Sequence, residues 1–213
     1  MKNKFGFILV KPQLGENIGA CARSMKNFGF QKLHIVNPKI NFPNHKAKAT
    51  SVGAFDIINK TKVFDGVEDA IKNYDLIISL SARRRDINKK HILLQDFKQI
   101  IQKKKNCNVG LMFGPEASGL SNKDLSYSNF ILQIPTSPKF KSLNLSHSLT
   151  IICYEIFRSF NHKLFILRII DLSFSLGVKK LFFVRSFTKC EITKLISFFE
   201  TLSIFFAILL NNL

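Results

Sequence analysis

Five short apolar runs constrain the fold of this chain more than any other feature: FGFILV (5–10), KLHIVNP (32–38), DLIISLSA (75–82), NVGLMFG (108–114) and FILQIP (130–135). Each is rich in β-branched or aromatic residues, is strand-length, and has turn residues beyond it, which is how a buried strand reads. Helical patterns lie between them. Residues 17–28 place Ile18, Cys21, Met25 and Phe28 on one stripe, with Gly29 as a stop signal. VEDAIKNY (67–74) and the segment from about Leu94 to Lys104 follow, and Ser142 is placed to cap a long helix carrying Leu145, Leu149, Ile152 and Ile156 on one face. Such alternation predicts an α/β fold, a parallel sheet flanked by helices. It stops near Asn161. The expected organisation is therefore a domain over residues 1–160 and a partly helical C-terminal extension over 161–213, with a helix at 192–209.

In an open parallel sheet, ligands gather at the carboxyl ends of the strands. Here those ends carry VKPQLGENIG, SLSARRRD, FGPEASGLS and IPTSPKFKSLN, all rich in Gly, Ser, Pro or charge, as one composite site would require. Asn17 falls at a helix entrance among small residues, and Arg23 follows further along the same helix. In FGPEASGLS, Gly114 allows close backbone approach, Gly119 can take positive φ, and Ser121 with Asp124 fits a capping box. Glu116 reads either as a solvated turn residue or as a functional carboxylate. No GKS or GKT follows these glycines, so the loop is not a P-loop. In the fourth loop, Ser142 and Asn144 bring polar atoms to a helix start, where a plain N-cap is the simpler reading. His147 takes no role.

The chain carries a net charge of +18 and a sequence pI of about 10.0, which favours a polyanionic partner. A compositional drift toward Lys, Asn, Ile and Phe would also add charge without a binding role. The run Arg83, Arg84, Arg85 is more pointed, because it sits at a strand end and opens a segment, 83–105, with nine Lys or Arg and two Asp. A solvated face and a phosphate grip are both open there.

Cys21, Cys107, Cys153 and Cys190 form no CxxC pair and have no histidine at a metal-ligand offset, so no metal site is expected. They fit reduced thiols of a cytoplasmic protein. The apolar run near the N-terminus is too short for a signal peptide. LFILRIIDLSFSLGV (164–178) and TLSIFFAILLNNL (201–213) both fall short of the roughly 20 apolar residues of a spanning helix. A terminal element packed on protein is expected, without stable membrane insertion.

NIGACAR, GPEASGL and SLNLS occur in order and resemble the three signature motifs of the SpoU/TrmH class of SPOUT RNA methyltransferases. The strand-end SARRR and IPTSPKFKSLNLS are similar to the TrmJ group, tRNA 2′-O-methyltransferases of the anticodon loop. The resemblance covers residues 5 to about 160, weakens over 161–190 and returns faintly at FTKCEITKLISFFETL. Two positions depart from the pattern: Glu16 stands where Gly or Pro is usual, and Phe140 where Tyr is usual.

The resemblance implies a deep trefoil knot, an exception to unknotted connections, and a homodimer whose active site uses both chains. It implies S-adenosylmethionine (AdoMet) as methyl donor, held by Ser79, Leu80, Ser81, Gly114, Ile134, Ser142 and Leu143, with Leu80 and Ile134 flanking the adenine. It implies tRNA as substrate and Arg23, Asn17, Glu116 and Asn144 as the catalytic set, without a metal. Gly19, Ala20 and Ala22 are then expected to let the RNA backbone come close.

Overall fold

The computed structural model describes residues 2–84, 87–104 and 106–160. The expectations for residues 161–213, the helix at 192–209 among them, lie outside the described residues, as does Arg85. Seven strands form one sheet in the order β3-β2-β1-β6-β4-β7-β5, and every pairing is parallel. They are β1 (Phe5–Val10), β2 (Lys32–Val36), β3 (Lys62–Phe64), β4 (Leu76–Leu80), β5 (Lys90–Leu93), β6 (Val109–Phe113) and β7 (Phe130–Gln133). The helices are α1 (Gly15–Asn27), α2 (His45–Thr50), α3 (Phe55–Lys60), α4 (Val67–Ile71), α5 (Leu94–Lys103), α6 (Asn122–Ser126) and α7 (Leu145–Phe160).

The five runs read from sequence are β1, β2, β4, β6 and β7. All residues of β1 and β6 are buried, as the centre of a parallel sheet covered on both faces demands. Period-two alternation splits the core into two layers. Phe5, Phe7 and Leu9 pack with Ile18, Cys21, Met25, Ile57, Phe97, Leu149, Ile152 and Ile156, so α1, α3, α5 and α7 cover one face. Ile8, Val10, Ile77, Met112 and Ile131 pack with Val67, Ala70 and Leu125, so α4 and α6 cover the other.

β3 and β5 are the two edge strands, and neither was expected. They are three and four residues long and mostly exposed or half-buried, with lysine at the start of each. Such edges lack the continuous apolar pattern that marks a central strand, and short charged edges also discourage pairing with another chain. The two short helices α2 and α3 were missed for a related reason, being too brief to show a 3.6-residue period.

Local chemistry sets the ends. α1 stops in a Schellman arrangement: Gly29, at φ 77°, donates its N–H to the Lys26 carbonyl, and Phe30 donates to Met25. The capping box on α6 forms as expected, with Ser121 Oγ accepting from the Asp124 N–H at 3.1 Å and Asp124 Oδ2 accepting from the Ser121 N–H at 2.9 Å. The expectation of Ser142 as the cap of α7 is corrected. Asn144 takes that place: its carbonyl accepts the Ser148 N–H at 2.9 Å, and its Oδ1 accepts the Ser146 N–H at 2.8 Å.

The glycine of NIGACAR serves packing rather than an approach by RNA. A Cβ on Gly19 would lie 2.4 Å from the Ala47 carbonyl oxygen and 2.9 Å from the Ser51 nitrogen, so α2 crosses α1 against bare backbone. Ala22 is fully buried as well, and of the three small residues only Ala20 retains partial exposure.

His34 on β2 lies between the rings of Phe64 and Tyr74, with centroids 5.3 and 5.8 Å away, and its buried Nδ1 has no partner among the described residues. Burial lowers its pKa below the usual value of 6.5, and Lys62 and Lys32 add to the effect against a hydrogen bond at Ala70. A lowered folded-state pKa means that the unfolded chain binds the proton more readily. The contribution of His34 is therefore complete above about pH 6.5 and is lost as pH falls through the folded-state value. Urea midpoints measured from pH 7.5 down to about pH 5 are expected to decline, and His34→Phe to flatten part of that decline. A wild-type midpoint that rises on acidification would contradict the assignment.

Candidate active site

The first helix begins without a local cap. Leu14 occupies the N-cap position and has no side-chain acceptor to offer. A carboxylate from the loop after β6 does the work instead. Glu116 Oε2 accepts the Gln13 N–H at 2.9 Å, and Oε1 accepts the Leu14 N–H at 3.3 Å and the Asn17 side-chain amide at 2.8 Å. The anion also lies at the positive end of the α1 dipole. Gln13 reciprocates, its Oε1 accepting the Ala117 N–H at 3.1 Å. Asn17 is buried and engaged at both ends of its amide, for its Oδ1 accepts from Asn144 Nδ2 at 3.0 Å. Glu116, Asn17 and Asn144 thus form one chain of hydrogen bonds joining the loop after β6, the start of α1 and the start of α7. Glu116 is an anchor, not a solvated turn residue.

Beside this chain lies a cavity of about 400 Å³, walled by the loops after β4, β6 and β7. Of the expected cofactor positions, Leu80, Ser81, Gly114, Ile134, Ser142 and Leu143 line it, and Glu116 does too. Ser79 does not. It is fully buried within β4, where its hydroxyl shares a hydrogen bond with Ser128. Arg83, expected on the RNA side, reaches the cavity wall, while Arg84 is exposed outside it.

Gly114 gives the cavity its floor. A Cβ there would lie 2.2 Å from the Leu120 nitrogen and 2.4 Å from the Gly119 carbonyl carbon, which are backbone atoms that cannot swing aside. The loop 114–120 doubles back on itself across that gap, helped by Gly119 at φ 68°. Sequence reasoning missed Ala117, Ser118, Lys141 and Ser148 of the lining. The first two directly follow Glu116 in the same quoted loop, and membership of that loop was the available signal.

The fourth expected catalytic residue stands apart. Arg23 is exposed on α1 and makes no hydrogen bond or ion pair among the described residues. Six residues along a helix place it about 9 Å from Asn17 along the axis and about 120° around it. The chain therefore unites Asn17, Glu116 and Asn144 but does not turn its own Arg23 toward them.

Nucleophilic chemistry is disfavoured at Cys21 and Cys153, because burial pushes both thiols far above their usual range. No cluster of three His, Cys, Asp or Glu side chains suited to a metal occurs among the described residues. No helix among them is long and apolar enough to cross a membrane.

A tRNA (cytidine-2′-O-)-methyltransferase TrmJ of Methanocaldococcus jannaschii is 35% identical over 153 residues, 70% of this chain and 66% of the relative. A tRNA (cytidine/uridine-2′-O-)-methyltransferase TrmJ of Photorhabdus laumondii subsp. laumondii is 33% identical over 157 residues, 73% of this chain and 65% of the relative. The chain thus spans just under two thirds of the length of these curated relatives. Among solved structures, the crystal structure of TrmJ from Z. mobilis ZM4 is similar with a TM-score of 0.69 and 28% identity, over 92% of this chain and 98% of that one. The SpoU rRNA Methylase family model matches residues 4–154, and the chain belongs to that family.

Proposed function

We propose that this chain transfers a methyl group from AdoMet to a ribose 2′-hydroxyl in the anticodon loop of tRNA. The observation that carries the reading is the double engagement of Glu116, which lines the cavity and holds Asn17 at the start of α1. The residues present suit AdoMet. Leu80, Ile134 and Leu143 supply apolar walls for a flat base, and the closely approaching backbone around Gly114 supplies polar groups without side-chain bulk. When bound, AdoMet supplies an electrophilic methyl group on a positively charged sulfur. The protein's share is to bring a ribose hydroxyl in line with it and to favour loss of the hydroxyl proton.

A guanidinium is a cation with five donors and no acceptor, so Arg23 is not cast as a base. Its role in this reading is to hold a substrate phosphate and to stabilise negative charge developing on the ribose oxygen. Its direction away from its own Asn17 supports a homodimer in which Arg23 of one protomer serves the cavity of the other. The trefoil knot that the resemblance implies, made by the loops after β4 and β6, belongs to this reading. Residues 1–160 are the methyltransferase domain in this account, and 161–213 an extension that helps present tRNA. A cytoplasmic location and a reaction without metal complete it.

Arg84 is the clean test of phosphate contact, since it is exposed and off the cavity wall. Arg84→Ala should reduce the log–log salt slope of tRNA binding by about 0.7–0.9 for one lost contact, with AdoMet affinity unchanged. An unaltered slope would make it a solvated cation. The function itself is tested by incubating the protein with labelled AdoMet and either unmodified tRNA or ribosomal RNA. Label is expected in tRNA. Label in ribosomal RNA alone would favour the rRNA reading that the family's name carries.

A further inference from the structure

The loop between β7 and α7 presents a phenyl ring to solvent. Phe140 is 76% exposed, well beyond the other exposed large apolar side chains, of which Val52 follows at 60%. It makes no ring contact among the described residues. The loop that carries it is braced. Ser137 to Phe140 form a tight turn with Pro138 at its second position, closed by the Phe140 N–H donating to the Ser137 carbonyl at 3.1 Å. The Thr136 hydroxyl reaches the Lys141 carbonyl at 3.5 Å across the neck. Lys139 and Lys141 precede and follow Phe140 in the chain, both exposed, and Lys141 with its neighbour Ser142 lines the cavity. An aromatic face between two cations at a cavity rim is how single-stranded nucleic acid is gripped: lysines meet the backbone while a base stacks on the ring.

We infer that Phe140 is the stacking platform for an unpaired base of the RNA substrate next to the nucleotide being modified. This rests on the RNA-methyltransferase reading above and adds a positioning residue to it. Phenylalanine has no hydrogen-bonding group, so the platform is tolerant of base identity. The flanking lysines carry the salt dependence, and the ring carries none.

The protein has no tryptophan, so Phe140→Trp introduces a single fluorophore at the proposed contact. Its emission is expected to be quenched on adding unmodified tRNA or a single-stranded polyuridylate, and to be independent of protein concentration without RNA. Phe140→Leu keeps the apolar bulk and removes the π face. It should raise KM for tRNA roughly five- to a hundredfold, with AdoMet affinity and the salt slope unchanged and kcat much less affected. Phe140→Tyr should restore KM. Wild-type KM in Phe140→Leu, or no quenching by RNA, overturns the inference and leaves the methyltransferase reading standing. An emission shift that grows with protein concentration in the absence of RNA also overturns it, because a second copy would then cover the ring. If the wild type methylates no tRNA yet the emission is quenched by polyuridylate, the proposed substrate fails and the platform stands.

Discussion

Arg23→Ala is expected to lower methyl transfer to tRNA by about a hundredfold or more while AdoMet binding and thermal stability stay near wild type. The stability half follows from the structure, since the side chain is exposed and unpaired among the described residues. The activity half follows from chemistry. A ribose hydroxyl is a weak nucleophile, and a fixed cation beside the oxygen lowers the barrier in proportion to the charge that develops there. Arg23→Lys should recover only part of the rate, because a lysine keeps the charge but loses the planar fork. Single-turnover rates with saturating AdoMet make the comparison. Full activity in the alanine variant would reduce Arg23 to a surface cation. Mixing Arg23→Ala with a Glu116→Gln protein tests the proposed dimer, since heterodimers with shared sites would regain one site bearing both native side chains.

Gly114→Val is expected to abolish AdoMet binding. Even the first carbon of a side chain would sit 2.2 Å from the Leu120 nitrogen, so the loop must open and the cavity floor moves with it. Gly114→Ala should weaken binding by at least an order of magnitude for the same reason. Isothermal titration with AdoMet reads the loss, and circular dichroism checks that the sheet persists. Glu116→Ala is a poorer probe of chemistry, because it strips the acceptor from two backbone N–H groups and from the buried Asn17 amide. The buried Asn17 amide left without its acceptor costs about 1–3 kcal/mol, while the two exposed N–H groups turn to water, so helix placement and activity would fall together. AdoMet affinity in Gly114→Val equal to wild type would mean that the cofactor lies elsewhere.

Much of this architecture was legible because its central strands are apolar and its helix ends carry recognisable chemistry. β1 is FGFILV to the residue, and the Ser121–Asp124 box caps α6 as its spacing implies. What escaped was whatever is decided by tertiary partners. The edge strands β3 and β5 acquire their identity from β2 and β7, not from their own side chains. Gly19 looked like room for RNA, yet the space belongs to α2, a helix too short to announce itself. Glu116 could be read either way until the uncapped start of α1 appeared opposite it. Resemblance alone gave Ser79 its place beside the cofactor, largely through backbone, and no sequence signal showed that its hydroxyl packs against Ser128. Arg23 shares a helix with Asn17 but not a direction, and only a helix viewed in three dimensions separates the two.

The most direct test is nucleoside mapping of the product. Unmodified tRNA incubated with the full chain and labelled AdoMet would be digested with nucleases and the fragments weighed by mass spectrometry. The account predicts one added methyl group on a ribose in the anticodon-loop fragment, with the adjacent phosphodiester resistant to alkali because its 2′-oxygen is blocked. A methyl group on a base, or an anticodon loop that stays unmodified while methyl transfer proceeds elsewhere, would contradict it.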